Sequence, residues 1–247
     1  KLMYEADILV ANHSLLLSEA KVPGILPEHD SIIIDEVHNL VRGGYDQFKV
    51  ELNHNNVVSL LNSINPNHPR SKRWNNILES IGDTEPSLKI LKEKLKLELE
   101  YIKISFDKFM EQLAINNENQ FDIGKAYQER PIIQSLSKEY SSLNKELSSF
   151  LDHSQRLLVC FTNLRNFVSK VDAKKTKYLY LHSILDKGLE NINALNDSIN
   201  LLTKAQDNEW VYWKEGYYNS RKDIDNQLQV SLHASKIDIS EILRNRL

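Results

Sequence analysis

Ser31-Ile32-Ile33-Ile34-Asp35-Glu36-Val37-His38 decides how this 247-residue chain is read. Three isoleucines ahead of two acids form an unbroken β-branched run, the pattern of a strand covered on both faces in a parallel sheet. Upstream, Asp7-Ile8-Leu9-Val10-Ala11-Asn12-His13 holds a shorter apolar run, and Ser14-Leu15-Leu16-Leu17-Ser18-Glu19-Ala20 starts like a capped helix. Pro23, Gly24 and Pro27 mark the loop between them. Strand, helix, strand is the grammar of an α/β core. Two strands cannot complete such a core, so its other strands must come from elsewhere.

The C-terminal end of a parallel strand is where α/β sheets place their ligands. A carboxylate there, Asp35, can hold Mg²⁺ through water, because Mg²⁺ takes few protein oxygens. An adjacent one, Glu36, can orient or deprotonate a water attacking a γ-phosphate. His38 can report the phosphate state to a neighbouring element. The plainer reading of the same residues is a strand end with solvated charges.

Outward from this stretch the grammar changes. Residues 50–206 read as helix almost throughout, with short helices near 54–64 and 71–81 and three long periodic segments. The first carries Leu88, Leu91, Leu95, Leu99, Ile102, Phe106, Phe109 and Leu113. The second runs from Ile133 through Leu136, Tyr140, Leu143, Leu147, Phe150, Leu157, Phe161, Leu164 and Val168 to Val171, with only Ser154 breaking its register. At 1.5 Å per residue it would be roughly 60 Å long. The third carries Leu181, Leu185, Ile192, Leu195, Ile199 and Leu202. Such stripes, in steps of three and four, are the seams of helices packed nearly parallel.

Beyond residue 206, Glu209-Trp210-Val211-Tyr212-Trp213-Lys214-Glu215 and Gln227-Leu228-Gln229-Val230-Ser231-Leu232-His233-Ala234 alternate as half-exposed strands do. Asp238 or Ser240 then caps a last helix from Glu241. The expected fold class is α+β, mostly α: a partial parallel α/β sheet from both chain ends, interrupted by an elongated antiparallel helical bundle. The expected division is 1–48, 49–206 and 207–247.

Composition sets the exclusions. Only 7 of 247 residues are Gly and 6 are Pro, against a usual Gly share of about 7%. A phosphate loop needs Gly-x₄-Gly-Lys-Ser/Thr. The only Gly-Lys is Gly124-Lys125, with Ala126 after it and Asn119 at the first glycine position. One cysteine, Cys160, excludes a disulfide framework, a Cys-ligated zinc and an iron–sulfur cluster within these residues. It suits a reducing compartment such as the cytoplasm, and its apolar surroundings predict a buried, inert thiol. Net charge is −3, so no global basic footprint argues for nucleic acid. No apolar stretch reaches the about 18 residues of a membrane span. The start, Lys1-Leu2-Met3-Tyr4-Glu5, falls mid-pattern and reads as the edge of an excised fragment.

Ala6-Asp7-Ile8-Leu9-Val10-Ala11-Asn12-His13-Ser14-Leu15-Leu16-Leu17, a Pro-containing loop and Ile33-Ile34-Asp35-Glu36-Val37-His38-Asn39-Leu40 together resemble the superfamily 2 DNA helicases of the DinG/XPD type. That family carries an "ADIVVxNHxLLL" segment before a "DEAH" Walker B motif followed by "NL". Val211-Tyr212-Trp213-Lys214-Glu215 and Leu232-His233-Ala234-Ser235-Lys236-Ile237-Asp238-Ile239-Ser240-Glu241-Ile242-Leu243 are similar to the family's tryptophan strand and "PIDxSxxL" segment. The resemblance covers the two ends, on the order of a third of the chain. It departs at Val37, where Ala is usual, and at Lys236, where Pro is usual.

The resemblance implies an ATP- and Mg²⁺-dependent motor moving 5′ to 3′ on single-stranded or forked DNA, with its remaining motor domains outside these residues. It implies that residues 49–206 are the helical Arch insertion enclosing the strand. By position Asp35 would coordinate Mg²⁺, Glu36 would activate water and His38 would couple nucleotide to DNA, with Asn12 and His13 on the DNA side. Any iron–sulfur cluster of the parent enzyme would take its cysteines from elsewhere. A carboxylate pair without a phosphate cradle or arginine finger lacks most of the stabilisation phosphoryl transfer needs, so the chain alone is expected to be inactive.

Two basic clusters, Arg70-Ser71-Lys72-Arg73-Trp74 and Lys170, Lys174, Lys175, Lys177 with Tyr178 and Tyr180, combine charge and aromatics as single-stranded nucleic acid sites do. Solvated helix ends give the same pattern. Trp210, Trp213, Tyr212, Tyr217 and Tyr218 are expected to pack beside the sheet. The histidines show no metal-ligand spacing, and those other than His13 and His38 are expected at the surface. Two rivals remain: a non-catalytic helical interaction module and a DinG-like nuclease or nuclease–helicase. Strands around Ile8–Val10, Ile32–Ile34 and Leu228–Leu232 lying in one sheet would favour the motor.

Overall fold

The computed structural model describes residues 5–83, 85–123, 125, 128–170, 176–219 and 227–246. Three long helices follow from the leucine stripes. They are α5 (Pro86–Asn117), α7 (Asn144–Val168) and α8 (Thr176–Lys204). Pro86 opens α5 at a position whose N–H has no helical partner to lose. The buried stripes of α5 and α7 meet, and the Phe150 ring lies 5.1 Å from Phe106 and 5.8 Å from Phe109. Against α8 the contact closes further. A Cβ on Gly188 would stand 2.5 Å from the Phe161 ring, so only glycine allows this approach.

Two shorter helices, α3 (His54–Ile64) and α4 (Lys72–Gly82), lie against α5 and α8. Asn53 caps α3 by accepting the Asn56 N–H at 2.8 Å.

The second periodic segment is not one helix. A short β2 (Gln128–Pro131) and a single turn α6 (Leu136–Glu139) precede α7, and the chain breaks at Tyr140 with φ −134°. Its 25 residues give α7 about 37 Å rather than 60 Å. The cause lies in side-chain chemistry. Tyr140 donates to Asn117 Oδ1 at 2.8 Å and accepts from Gln120 Nε2 at 2.9 Å and Lys214 Nζ at 2.6 Å. Ser154, the predicted interruption, sits inside α7 with its hydroxyl donating to the Leu151 carbonyl.

The sheet is antiparallel throughout. Strands β1 (Val50–Leu52), β2, β3 (Trp210–Asn219) and β4 (Gln227–Lys236) lie in the order β1-β4-β3-β2. Val50 pairs with Ala234, Gln128 with Gly216, and Trp210 with Lys236. Tyr212, Leu228, Val230, Leu232 and Ala234 face inward and share one hydrophobic core with the helices. Lys214 shares that inward face, 1% exposed, and its ammonium donates to Glu139 at 2.7 Å. Trp210 and Trp213 lie on β3, Trp213 stacking on His233 at 5.3 Å. His233 corrects the expectation of surface histidines, being 1% exposed.

A second, smaller core joins the two chain ends. Helices α1 (His13–Lys21) and α2 (Val37–Phe48) bury Leu16, Leu17 and Leu40, with Leu243 of α9 (Ser240–Arg246) against them. Tyr45 of α2 donates to the Ile237 carbonyl at 2.8 Å. The loop after α1 is braced by the Glu19 carboxylate, which accepts N–H bonds from Gly24, Ile25 and Leu26. Those bonds hold its pKa below the usual glutamate value, Gly24 contributing most.

The expected parallel sheet is not found among the described residues. Segments 8–10 and 32–34 belong to no helix and no ladder, and Leu228–Leu232 pairs with β3, its Leu232 also with β1. Ile33 is 98% exposed and Val10 93%. A strand buried on both faces needs neighbours on both edges and layers on both faces. The helices and strands described cover Ile32 alone of the three isoleucines.

Candidate functional site

Two capped helix starts place the sequence motifs side by side. Asn12 is the N-cap of α1 and its Oδ1 accepts the Leu15 N–H at 2.8 Å, so this side chain works as a cap. His13, the first residue of the helix, points its Nε2 at the main-chain carbonyl of Asp35, 2.8 Å away. That bond requires the proton on Nε2 and ties the first motif segment to the end of the isoleucine run.

At the other start, Glu36 holds the N-cap position of α2 in the left-handed region, φ 49° and ψ 48°, without a capping bond from its side chain. For a residue with a Cβ this conformation costs on the order of 1–2 kcal/mol. Asp35 supports it by accepting the Glu36 N–H on Oδ1 at 2.9 Å. The kink turns the chain sharply from the extended run into the helix. It leaves the Asp35 and Glu36 carboxylates at the helix N-terminus, where the positive end of the dipole favours negative charge. His38 Nδ1 lies 3.3 Å from Glu36 Oε2, with both side chains largely in water. Among the described residues neither carboxylate meets a lysine or arginine.

This arrangement brings Asp35, Glu36, His38 and His13 together, and Asn12 beside them. A pair of hard, uncompensated carboxylates suits an ion that keeps its waters and takes one or two protein oxygens, which describes Mg²⁺. Among the described residues no group of three or more His, Cys, Asp or Glu side chains is set to hold a metal on its own. An ion here would need further oxygens from a bound phosphate.

Beside the kink an open groove of about 440 Å³ runs between residues 29–34, α2 and α9. Ile32, Ile34, Val37, Leu40, Val41 and Leu243 line it. Neither the groove nor the contact from Tyr45 to Ile237 was evident in the sequence, since both depend on the C-terminal segment returning to α2.

The basic residues lie on other elements. Arg70 is in a 3₁₀ turn (Pro69–Ser71) with Lys72 and Arg73 in the first turn of α4, all exposed. The Arg73 guanidinium stands 4.0 Å over the Tyr180 ring of α8. Lys174 and Lys175 lie outside the described residues, and Lys177 begins α8. Cys160 is half-buried, and burial with Glu98 nearby raises its pKa, which keeps the thiol protonated. Among the described residues no helix is long and apolar enough to cross a membrane. No protein-family model matches the chain, and no curated protein sequence matches it significantly.

Proposed function

We propose that this chain is part of an ATP-dependent DNA helicase of the DinG/XPD type, contributing the Walker B carboxylates of a motor domain and its helical insertion. Residues 1–48 and 207–247 would belong to the motor and 49–206 to the Arch. The observation that carries the reading is the turn at Asp35–Glu36. Two acids that meet no lysine or arginine among the described residues stand at a strained helix start, tied through His13 to the first motif segment. Strain of this kind concentrates at working sites.

In this reading Asp35 and Glu36 would face a Mg²⁺ brought with ATP, which would supply positive charge at the phosphates. Asp35 holds the ion through water. Glu36 accepts the proton of the attacking water, and His38, within reach of Glu36, links that carboxylate to the following helix. The phosphate cradle and the second motor domain come from other residues, as does any iron–sulfur cluster. Single-stranded or forked DNA is the proposed partner.

The test is ATP hydrolysis by the full-length protein with and without single-stranded DNA. Glu36→Gln is expected to lower turnover by roughly 10²–10⁴-fold, Asp35→Asn to weaken Mg²⁺ dependence, and the 247-residue chain alone to turn over nothing. A full-length protein without ATPase activity, or a Glu36→Gln variant with wild-type turnover, would remove the proposal. A specific observation favours the rival, a non-catalytic helical interaction module: segments 8–10 and 32–34 form no ladder among the described residues. Under that reading the acid pair is a solvated helix start.

A further inference from the structure

Arg73 of the first basic cluster and Tyr180, which follows the second in sequence, meet in the fold. Arg70, Lys72 and Arg73 sit at the beginning of α4, which packs on α8. Lys170 follows the end of α7, next to the beginning of α8. The pairing of Arg165 on α7 with Asp186 on α8 at 2.8 Å sets the two helices antiparallel, so Lys170 and Tyr180 stand at the same end of the bundle. There the Arg73 guanidinium carbon stands 4.0 Å from the centroid of the Tyr180 ring.

Among the described residues Arg70, Lys72, Arg73 and Lys170 form no ion pair, whereas Lys92, Lys125, Arg156, Arg165, Lys187, Lys214 and Lys236 each have a carboxylate within 4.0 Å. Exposed cations on elements that meet at one end of the bundle favour the approach of an anionic chain. A guanidinium held on a tyrosine face keeps its N–H edge free for phosphate and its second face free for a base.

We infer that this end of the bundle is a binding site for single-stranded nucleic acid. Arg70, Lys72 and Lys170 track the phosphates, and the Tyr180–Arg73 stack is the platform for one base. The site stands without the motor reading; only the choice of DNA as its strand rests on it. A helix-end explanation accounts for Lys170 near the α7 C-terminus. It does not account for Arg70, Lys72 and Arg73, which cluster at a helix N-terminus where the dipole opposes them.

The test is fluorescence anisotropy of a labelled oligothymidylate with the 247-residue chain over a range of salt concentrations. Joint reversal by Arg70→Glu, Lys72→Glu and Arg73→Glu is expected to weaken binding at least roughly tenfold and lower the salt slope by about 2, at ~0.7 per lost phosphate contact. The control is Lys96→Glu, Lys103→Glu and Lys108→Glu on the exposed side of α5, which changes net charge equally and is expected to leave binding within about twofold. Arg73→Lys keeps the charge and loses the plane. It should weaken oligothymidylate binding roughly fivefold while sparing an abasic phosphodiester of the same length.

Equal losses in the α4 and α5 variants would reduce the effect to net charge and overturn the site. So would a wild-type chain with no measurable affinity. Loss of binding in the α4 variant alongside a full-length protein without ATPase would leave this site standing and remove the motor. An active, DNA-stimulated ATPase whose α4 variant binds normally would do the reverse.

Discussion

Leu228–Leu232 and Ile32–Ile34 carry similar aliphatic side chains, and the fold treats them in opposite ways. The first lies in the middle of β4, paired with β1 and β3 and backed by the long helices. The second belongs to no ladder among the described residues, and its central isoleucine lies almost wholly in water. Fully burying such a side chain contributes about 1.5–3 kcal/mol. The difference teaches that a hydrophobic run does not by itself make a strand; its place in a sheet is decided by the partners the chain supplies. The antiparallel sheet draws its four described strands from within this chain. The isoleucine run has only a small side core of α1, α2 and α9 beside it.

The comparison breaks most visibly if the paired region is weakened. Lys214→Ala leaves the Glu139 carboxylate and the Tyr140 hydroxyl without the ammonium that joins them. Removing one partner of such a buried pair costs about 3–5 kcal/mol, measurable as a lower midpoint in urea. Phe150→Ala, which empties the space between Phe106 and Phe109, should cost about the same.

A smaller effect comes from pH. Burial lowers the pKa of His233, and the opposing pull of Glu215 and Glu51 does not restore it. The folded imidazole stays neutral where the unfolded one takes a proton. Stability is therefore complete above the unfolded value, about pH 6.5, and falls below it by at most about 1.4 kcal/mol per pH unit. His233→Gln is expected to remove that part of the acid loss in denaturation curves recorded from neutral to mildly acid pH.

In the other region the expected changes are small or of opposite sign. Glu36→Gly relieves the left-handed backbone and should raise stability by about 1 kcal/mol in a thermal melt, while abolishing the proposed catalysis. Ile33→Ser should leave stability within about 0.5 kcal/mol. A large loss there would mean that the isoleucine run already supports this fold, and the contrast would fail.

How far the fold was legible in the sequence follows the same line. The leucine stripes placed α3, α4, α5 and α8 within a residue or a few, because their period is local and their partner helices are in the chain. The final helix and its approach were legible too, with Asp238 accepting the Ser240 N–H at 2.8 Å. The break at Tyr140 was not. Periodicity continued through it, and the reason to stop is a network with Asn117, Gln120 and Lys214 assembled from distant segments. Strands β1 and β2 were missed because three or four residues carry too little alternation to read. At the candidate site the residues were legible and their setting was not. The left-handed Glu36 and the bond from His13 to Asp35 are properties of backbone and packing.

The central claim is that the run ending in Asp35–Glu36 is a sheet strand completed by residues outside this chain. Amide hydrogen exchange of Ile32, Ile33 and Ile34 tests it most directly, compared between this chain and the full-length protein. The account predicts rapid exchange in the 247-residue chain and protection at least roughly a hundredfold higher in the full-length protein, as a ladder forms. Equal exchange in the two, fast or slow, would contradict it.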